Sequence, residues 1–470
     1  MNNGMRVAPL MLSAFLAGCV NLSPDYKQAD APVPTALPIA DEQGADAVSV
    51  GGWEDLIVSP ELERVIALAL ENNRDLRAAT ARIAVARSQY GITRAARLPS
   101  VSASGGVTET GTFGDPSAAI EQAANAQEGV SAQLGVTAFE LDFFGRVASL
   151  NEAALQSYLS TVEGERSTKI ALISSVAQAW LTLAADQELL RLAQETIDSQ
   201  TESLNLTNEM FDSGVVTEID VRRASASVET ARAQLAQYTG LVRQDLNALR
   251  FIVGTDLPDN IAESAQLLPS PVVNRVAVGQ SSALLLNRPD VLAAERSLRA
   301  AYANIGAARA AYFPSISLTG SAGYSSNELD GLFDGGIWSV GPKVSLPIFD
   351  AGNRKANLGV SKANRDLALA QYERAIQTAF RETADALATA QTVDERIDAL
   401  RRLVDDTSVT LNLSQERFRV GIDDYLSVLD AQRDDYSSRQ QLISAELVKA
   451  LNVVTLFQAL GGASTPAAAQ

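Results

Sequence analysis

The chain has 470 residues, 38 basic and 56 acidic side chains for a formal net charge of −18, no histidine and a single cysteine. An acidic surface without clustered Lys and Arg cannot neutralise phosphates, which argues against a nucleic-acid partner. With no histidine and one cysteine, the usual metal-ligand sets and nucleophile-base pairs are missing, and no carboxylate pair sits in a recognisable catalytic motif, so no cofactor, metal or enzyme is expected.

The amino terminus fixes the compartment. Arg6 is followed by an apolar run of about 11 residues (7–17) and then by small residues, the pattern of a secretory signal too short to span a bilayer. Leu16-Ala17-Gly18-Cys19 resembles a bacterial lipobox. That resemblance implies cleavage before Cys19 and acylation of its thiol and new amino group, so that Cys19 becomes a membrane anchor; an ordinary signal peptide that happens to contain a cysteine is the alternative. In such lipoproteins an Asp at the next position favours inner-membrane retention, and Val20 there points to the outer membrane. Residues 21–38, rich in Pro, Ala and Asp, read as a tether.

Residues 60–98 read as one helix, started by Ser59-Pro60-Glu61, with Leu62, Val65, Ile66, Ala69 and Leu70 on one face and Pro99 as the stop. The periodicity then switches to two. A strand from Val101 and a loop at 112–128 precede Val130, Ala132, Leu134, Val136 and Ala138, which alternate with Ser131, Gln133, Gly135 and Thr137. Further on, Ile316 and Leu318 alternate with Ser317 and Thr319, and Trp338, Val340, Val344, Leu346 and Ile348 mark a return strand. Four strands, apolar on one face and small-polar on the other, suit a transmembrane barrel wall. Four cannot enclose a water-filled passage, and an open edge is intolerable in lipid. Other chains must complete the wall, and three copies would give twelve strands.

After each strand pair comes a long helix. Residues 146–211 contain no proline, and Val176, Leu183, Leu190, Ile197, Leu204 and Phe211 recur every seven residues, the repeat that drives left-handed supercoiling. Val221, Val228, Leu235, Val242 and Leu249 continue that step after Gly214, so an antiparallel hairpin is expected. Ile376, Phe380, Leu387, Ala390, Ile397, Val404 and Leu411, then Leu429, Tyr436, Ile443, Ala450 and Phe457, form a second. The two are copies. Phe211, Gly214 and Gly254 recur as Phe418, Gly421 and Gly461 at an offset of 207, whereas Asn72 to Asp75 and Ala95 to Ser102 recur as Asn287 to Asp290 and Ala310 to Ser317 at 215. The first copy therefore holds eight extra residues, assigned to the 112–128 loop.

The lipobox, the duplicated helix-strand-strand-helix unit, the paired Phe-x-x-Gly turns and the segment Tyr425-Leu426-Ser427-Val428-Leu429-Asp430-Ala431-Gln432-Arg433 together resemble the outer-membrane factor family of TolC/OprM type, in its lipoprotein, NodT-like branch. The resemblance covers residues 16–462. It implies a mainly α chain with a membrane β-barrel: a homotrimeric channel-tunnel of twelve strands continued by a periplasmic α-helical coiled-coil barrel. On that pattern the chain divides into a signal peptide (1–18), a lipidated tether and equatorial segment (19–59), a first repeat (60–254), an equatorial linker (255–282), a second repeat (283–462) and a tail (463–470). The implied function is passive export of drugs or other small molecules from a periplasmic adaptor and an inner-membrane RND-type pump. A type I protein-secretion channel and a structural coiled-coil lipoprotein are the alternatives. In the family, rings of a leucine and an acidic residue close the periplasmic tip; carried over, these are Leu426 and Asp430, with Arg433 placed to bridge to a carboxylate, although Asp430 and Arg433 also fit a plain solvated helix pair. Many members carry an acid where this chain has Ser427, so Asp423 and Asp424 become the other sources of tip charge. The turns at Phe211, Gly214, Phe418 and Gly421 are the implied adaptor contacts.

Overall fold

A computed structural model describes residues 21–38, 51–108, 129–276, 281–326 and 330–462. Cys19 and the 112–128 loop lie outside the described residues. The chain forms two compact units, one from Met1–Asp30, Arg82–Val162 and Ala293–Tyr372, the other from Ala31–Ala81, Glu163–Leu292 and Glu373–Gln470. Each draws on both copies of the repeat.

In the first unit, strands β1 (Val101–Thr108), β2 (Gly129–Leu141), β3 (Ser315–Ser326) and β4 (Gly336–Ser345) form one antiparallel sheet in that order. Its central pair, β2 with β3, joins the two copies. The register sets Val101 opposite Val136, Leu134 opposite Ala322, Ala322 opposite Trp338 and Ile316 opposite Val344. Alternation across the pleat then gathers these on one face and Ser102, Ser131, Gln133, Ser321, Ser339 and Lys343 on the other. Among the described residues nothing covers the apolar face, where Trp338 is 79% exposed, and the outer edges of β1 and β4 have no partner strand.

Two expectations for the strands are corrected. The alternation through Ala138 breaks at a bulge between Val136 and Phe139. Ala138 takes φ 50° there and donates its N–H to Thr319 Oγ1 at 3.3 Å. The extra residue shifts the phase, so Phe139 and Leu141 take the places opposite Leu318 and Ile316. At the other edge, β4 ends at Ser345, short of Leu346 and Ile348, because Pro347 has no N–H to offer a ladder.

The second unit begins with short α1 (Trp53–Leu56) and α2 (Pro60–Asn72); the next helix, α3 (Arg74–Ala95), belongs to this unit only as far as Ala81. The single helix expected over 60–98 is thus broken at Asn73, which is extended at φ −60° and ψ 132°. Its side chain accepts from the Leu76 N–H at 2.8 Å and donates to the Ile252 carbonyl at 2.7 Å, which fixes the break against the end of another helix. The start of α2 follows the expectation: Ser59 accepts from the Leu62 N–H, and Leu62, Val65, Ile66 and Ala69 are fully buried.

The long hairpins are α4 (Arg146–Asp212) with α5 (Glu218–Val253), and α8 (Asn353–Arg419) with α9 (Tyr425–Ala459); α6 (Ile261–Ser264), a 3₁₀ turn (Ser282–Asn287) and α7 (Pro289–Ala310) lie between. Both α4 and α8 have 67 residues, roughly 100 Å at 1.5 Å per residue. Apolar stretches of α4 and α9 are long enough to cross a membrane, but about half of each is buried against neighbours, as in core helices. Along α4, Val176 and Leu183 are buried as the seven-residue pattern requires, and so are Ile173 and Trp180, each three residues before one of them. Beyond Leu183, Leu190, Ile197 and Leu204 are only half-buried and Phe211 is exposed, so the seam loosens towards the turn.

The duplication is visible in one hydrogen bond. Asn73 donates to the carbonyl of Ile252, and its counterpart at offset 215, Arg288, donates to the carbonyl of Ala459, the counterpart of Ile252 at offset 207, also at 2.7 Å. Buried Arg288 also pairs with Asp290 and Glu382 at 2.8 and 2.9 Å. The glycines that follow pack against the same breaks. A Cβ on Gly254 would lie 2.8 Å from the Asn72 carbonyl, and one on Gly461 3.1 Å from the Arg288 side chain.

Candidate functional site

The sequence-derived site falls on the two hairpin turns, both within the second unit. Each is a helix end closed by the same pair of bonds. In the first, the Val215 N–H donates to the Met210 carbonyl at 2.8 Å and the Gly214 N–H to Phe211 at 2.9 Å; in the second, Ile422 donates to Arg417 at 2.8 Å and Gly421 to Phe418 at 2.9 Å. This reversal needs a left-handed residue, supplied by Gly214 at φ 74° and Gly421 at φ 73°. Nothing lies within 4 Å of where a Cβ would sit on either. The constraint is therefore the backbone alone.

The next helices start on different caps. Thr217 N–H and hydroxyl both donate to Asp220 Oδ2 at the start of α5. At the start of α9, Asp424 accepts from the Ser427 N–H at 3.1 Å and from its hydroxyl at 2.9 Å. Ser427 thus serves the cap, and Asp424 is committed to it. Asp423 accepts two bonds from Arg417, at 2.6 and 2.8 Å across the turn, and this guanidinium holds its carboxyl below the usual carboxylate range. Asp423 and Asp424, expected as sources of tip charge, are both engaged in the turn itself.

The paired phenylalanines are not equivalent. Phe418 is 3% exposed, edge-on to Tyr425 at 5.5 Å, in a cluster with Ala224, Val428 and Leu429 that Leu204, Leu206, Met210 and Val216 complete. Phe211 is 43% exposed. The second turn is thereby anchored on the first hairpin, and Gln432 Nε2 to Ser203 Oγ at 3.1 Å and Gln440 Nε2 to the Tyr238 hydroxyl at 2.7 Å extend that contact along α9.

Leu426 is partly exposed, and Asp430 and Arg433 project freely. The expected bridge between the last two is loose: their nearest charged atoms are 4.0 Å apart on highly exposed side chains, a geometry worth well under about 1 kcal/mol in water. Within one chain they are a solvated helix pair. The close ion pair of this turn is Arg417 with Asp423, which lies six residues apart across a loop and so outside helix-spacing rules.

The tether is also more than a spacer. In the first unit, Leu22 accepts from Arg309 at 3.1 Å, the hydroxyls of Ser23 and Ser149 lie 3.2 Å apart, and the Tyr26 hydroxyl donates to Glu295 at 3.0 Å, with Arg299 stacked 4.5 Å over the Tyr26 ring and Tyr302 edge-on to it. Ser23 passes so close to α7 that a Cβ on Gly306 would lie 2.8 Å from its Cα. A glycine inside an Ala-rich helix, with no turn to make, is the signal by which the sequence marks this seat.

A profile of the family described as outer membrane efflux protein matches residues 65–255 and 281–462. The chain belongs to the outer membrane efflux protein family. It is 43% identical over 460 residues to the toluene efflux pump outer membrane protein TtgC of Pseudomonas putida, covering 96% of this chain and 94% of that protein. With the outer membrane protein OprJ of Pseudomonas aeruginosa it shares 40% over 468 residues, covering 97% and 95%. Among solved structures, the open state of the Neisseria gonorrhoeae MtrE outer membrane channel superposes with a TM-score of 0.86 at 34% identity, over 94% of this chain and 99% of that one, and CusC with 0.82 at 35%, over the same shares. This outer membrane efflux protein therefore has the TolC-like fold, resides in the outer membrane and acts in efflux as a transport channel. The family's hallmarks map onto features described above: the bare-faced four-stranded sheet is the membrane wall, and the long hairpins are the helical tunnel.

Proposed function

We propose that this efflux protein is the outer-membrane exit duct of a tripartite pump, closing as a homotrimer in which three four-stranded sheets make a twelve-stranded barrel. One observation carries this reading: a sheet with one apolar face bare and two unpaired edges is stable in lipid only if identical sheets meet edge to edge. Acylated Cys19 anchors the chain to the outer membrane. The turns at Phe211 to Gly214 and Phe418 to Gly421 contact a periplasmic adaptor, and an inner-membrane RND-type pump supplies the energy, so the duct itself conducts drugs or other small molecules passively. That relatives are named for toluene or antibiotic efflux supports small-molecule cargo. Leu426 and Asp430 act as the tip constriction, a leucine ring that dewets and a carboxylate ring that filters charge.

The test is electrical and hydrodynamic. Purified protein is expected to migrate with three times the chain mass and to conduct in planar bilayers. Leu426→Ser should raise the resting conductance and Asp430→Ala should weaken cation preference. A non-conducting monomer would overturn the assignment, and unchanged lipid labelling in Cys19→Ala would remove the anchor.

A further inference from the structure

In the first hairpin, Gln187 and Leu190 of α4 and Thr239 and Val242 of α5 line one groove between the two helices, and beside it the side chains of Asp186 of α4 and Asp245 of α5 act on each other. Oδ2 of Asp245 is shut off from solvent and receives no hydrogen bond. Leu183 and Leu249, three and four residues away on the two helices, are fully buried. Among the described residues, no Arg or Lys acts on the pair; on α2, which also packs against α5, Arg64 is exposed. On α4, Arg191 is held by Glu188 and Glu195; on α5, Arg243 is exposed; on α9, which packs against α5, Glu446 is paired with Arg401 and Lys449 with Asp394.

The second copy shows that this crossing does not require carboxylates. At offset 207 the counterparts are Val393, which is buried, and Asn452, whose side-chain amide donates to the Ala386 carbonyl at 3.0 Å. The same helix pair is thus built once with a neutral amide and once with two acids. A hydrogen bond between two carboxyl groups exists only when one of them holds a proton, and two carboxylates in contact at a half-buried interface repel.

We propose that Asp186 and Asp245 are a proton-operated clasp, one shared proton tying α4 to α5 in acid and its loss loosening the hairpin that ends at Gly214. Burial raises both carboxyls, and the hydrogen bond and charge of Asp186 raise Asp245 further, to about 6 from 3.8. Because the folded state holds the proton more tightly than the unfolded chain, the clasp contributes fully below the ordinary carboxylate range and is lost as pH rises through about 6. The periplasm shares its pH with the medium, so the first hairpin would stiffen in acid at this crossing, whereas the matching crossing of the second, built from Val393 and Asn452, has no proton to lose.

The experiment uses detergent-purified full-length protein, with Asp245→Asn to imitate the protonated form and Asp186→Asn as the second variant. Infrared difference spectra should show a carboxylic-acid band that disappears between about pH 5 and about pH 7 in the native protein and is missing from both variants. Hydrogen exchange in 183–190 and 241–249, corrected for intrinsic rates, should rise about tenfold over that range in the native protein and stay flat in Asp245→Asn. A native protein with no such band, or an exchange profile that Asp245→Asn leaves unchanged, overturns the clasp.

Discussion

Two glycines and one arginine do work that no neighbouring residue type could do. Gly214 and Gly421 sit at φ 74° and 73° with open space around them, so alanine would fit sterically and fail only on backbone energy. Gly421→Ala is expected to lower stability by about 1–2 kcal/mol, read from the denaturation midpoint, with secondary structure intact. Arg288 is buried and serves a carbonyl and two carboxylates at once. Removing one partner of a buried ion pair costs about 3–5 kcal/mol. Asp290 and Glu382 each keep 39% of their side-chain surface in water, so Arg288→Ala should fall at about 3 kcal/mol. A loss under about 1 kcal/mol in chemical denaturation would show that the carbonyl of Ala459 finds water instead.

At the scale of elements, the two copies share a plan and differ in what they bury. α4 and α8 have equal length and end in the same pair of hydrogen bonds, yet Phe418 is buried under Tyr425 while Phe211 is exposed. Phe418→Ala should therefore cost about 3–5 kcal/mol, the range for emptying a packed aromatic site, and Phe211→Ala about 1 kcal/mol or less. Equal effects in thermal melts would mean that the two turns are equally packed in the assembled protein. The tether offers a separate prediction. Gly306→Val puts a side chain where Ser23 runs, so limited proteolysis should cleave within 21–30 faster than in the native protein, while the sheet, which this position does not touch, keeps its spectrum.

Across the whole molecule, most of the plan was legible from residues alone. The switch from helical to alternating period, the heptads of α4 and the 207 offset each follow from where apolar side chains must go, and burial acts on side chains that the sequence names. The turns were legible for the same reason: a helix reversal needs glycine. The break at Asn73 was hidden because its cause, the carbonyl of Ile252, is 179 residues away. The bulge at Ala138 was hidden because its phase shift is set by pairing with β3. Phe211 and Phe418 look alike in sequence, and only the neighbours brought by the fold separate them. The tip pair chosen by helix spacing, Asp430 with Arg433, proved loose, whereas Arg417 and Asp423 close across a loop that spacing rules do not cover. By itself, then, the sequence determined period, duplication and membrane-wall chemistry, since each is a local property of which side chains water rejects. Tertiary structure decided where helices break, which of two equal residues is buried and which charges meet, since those depend on partners supplied from distant parts of the chain.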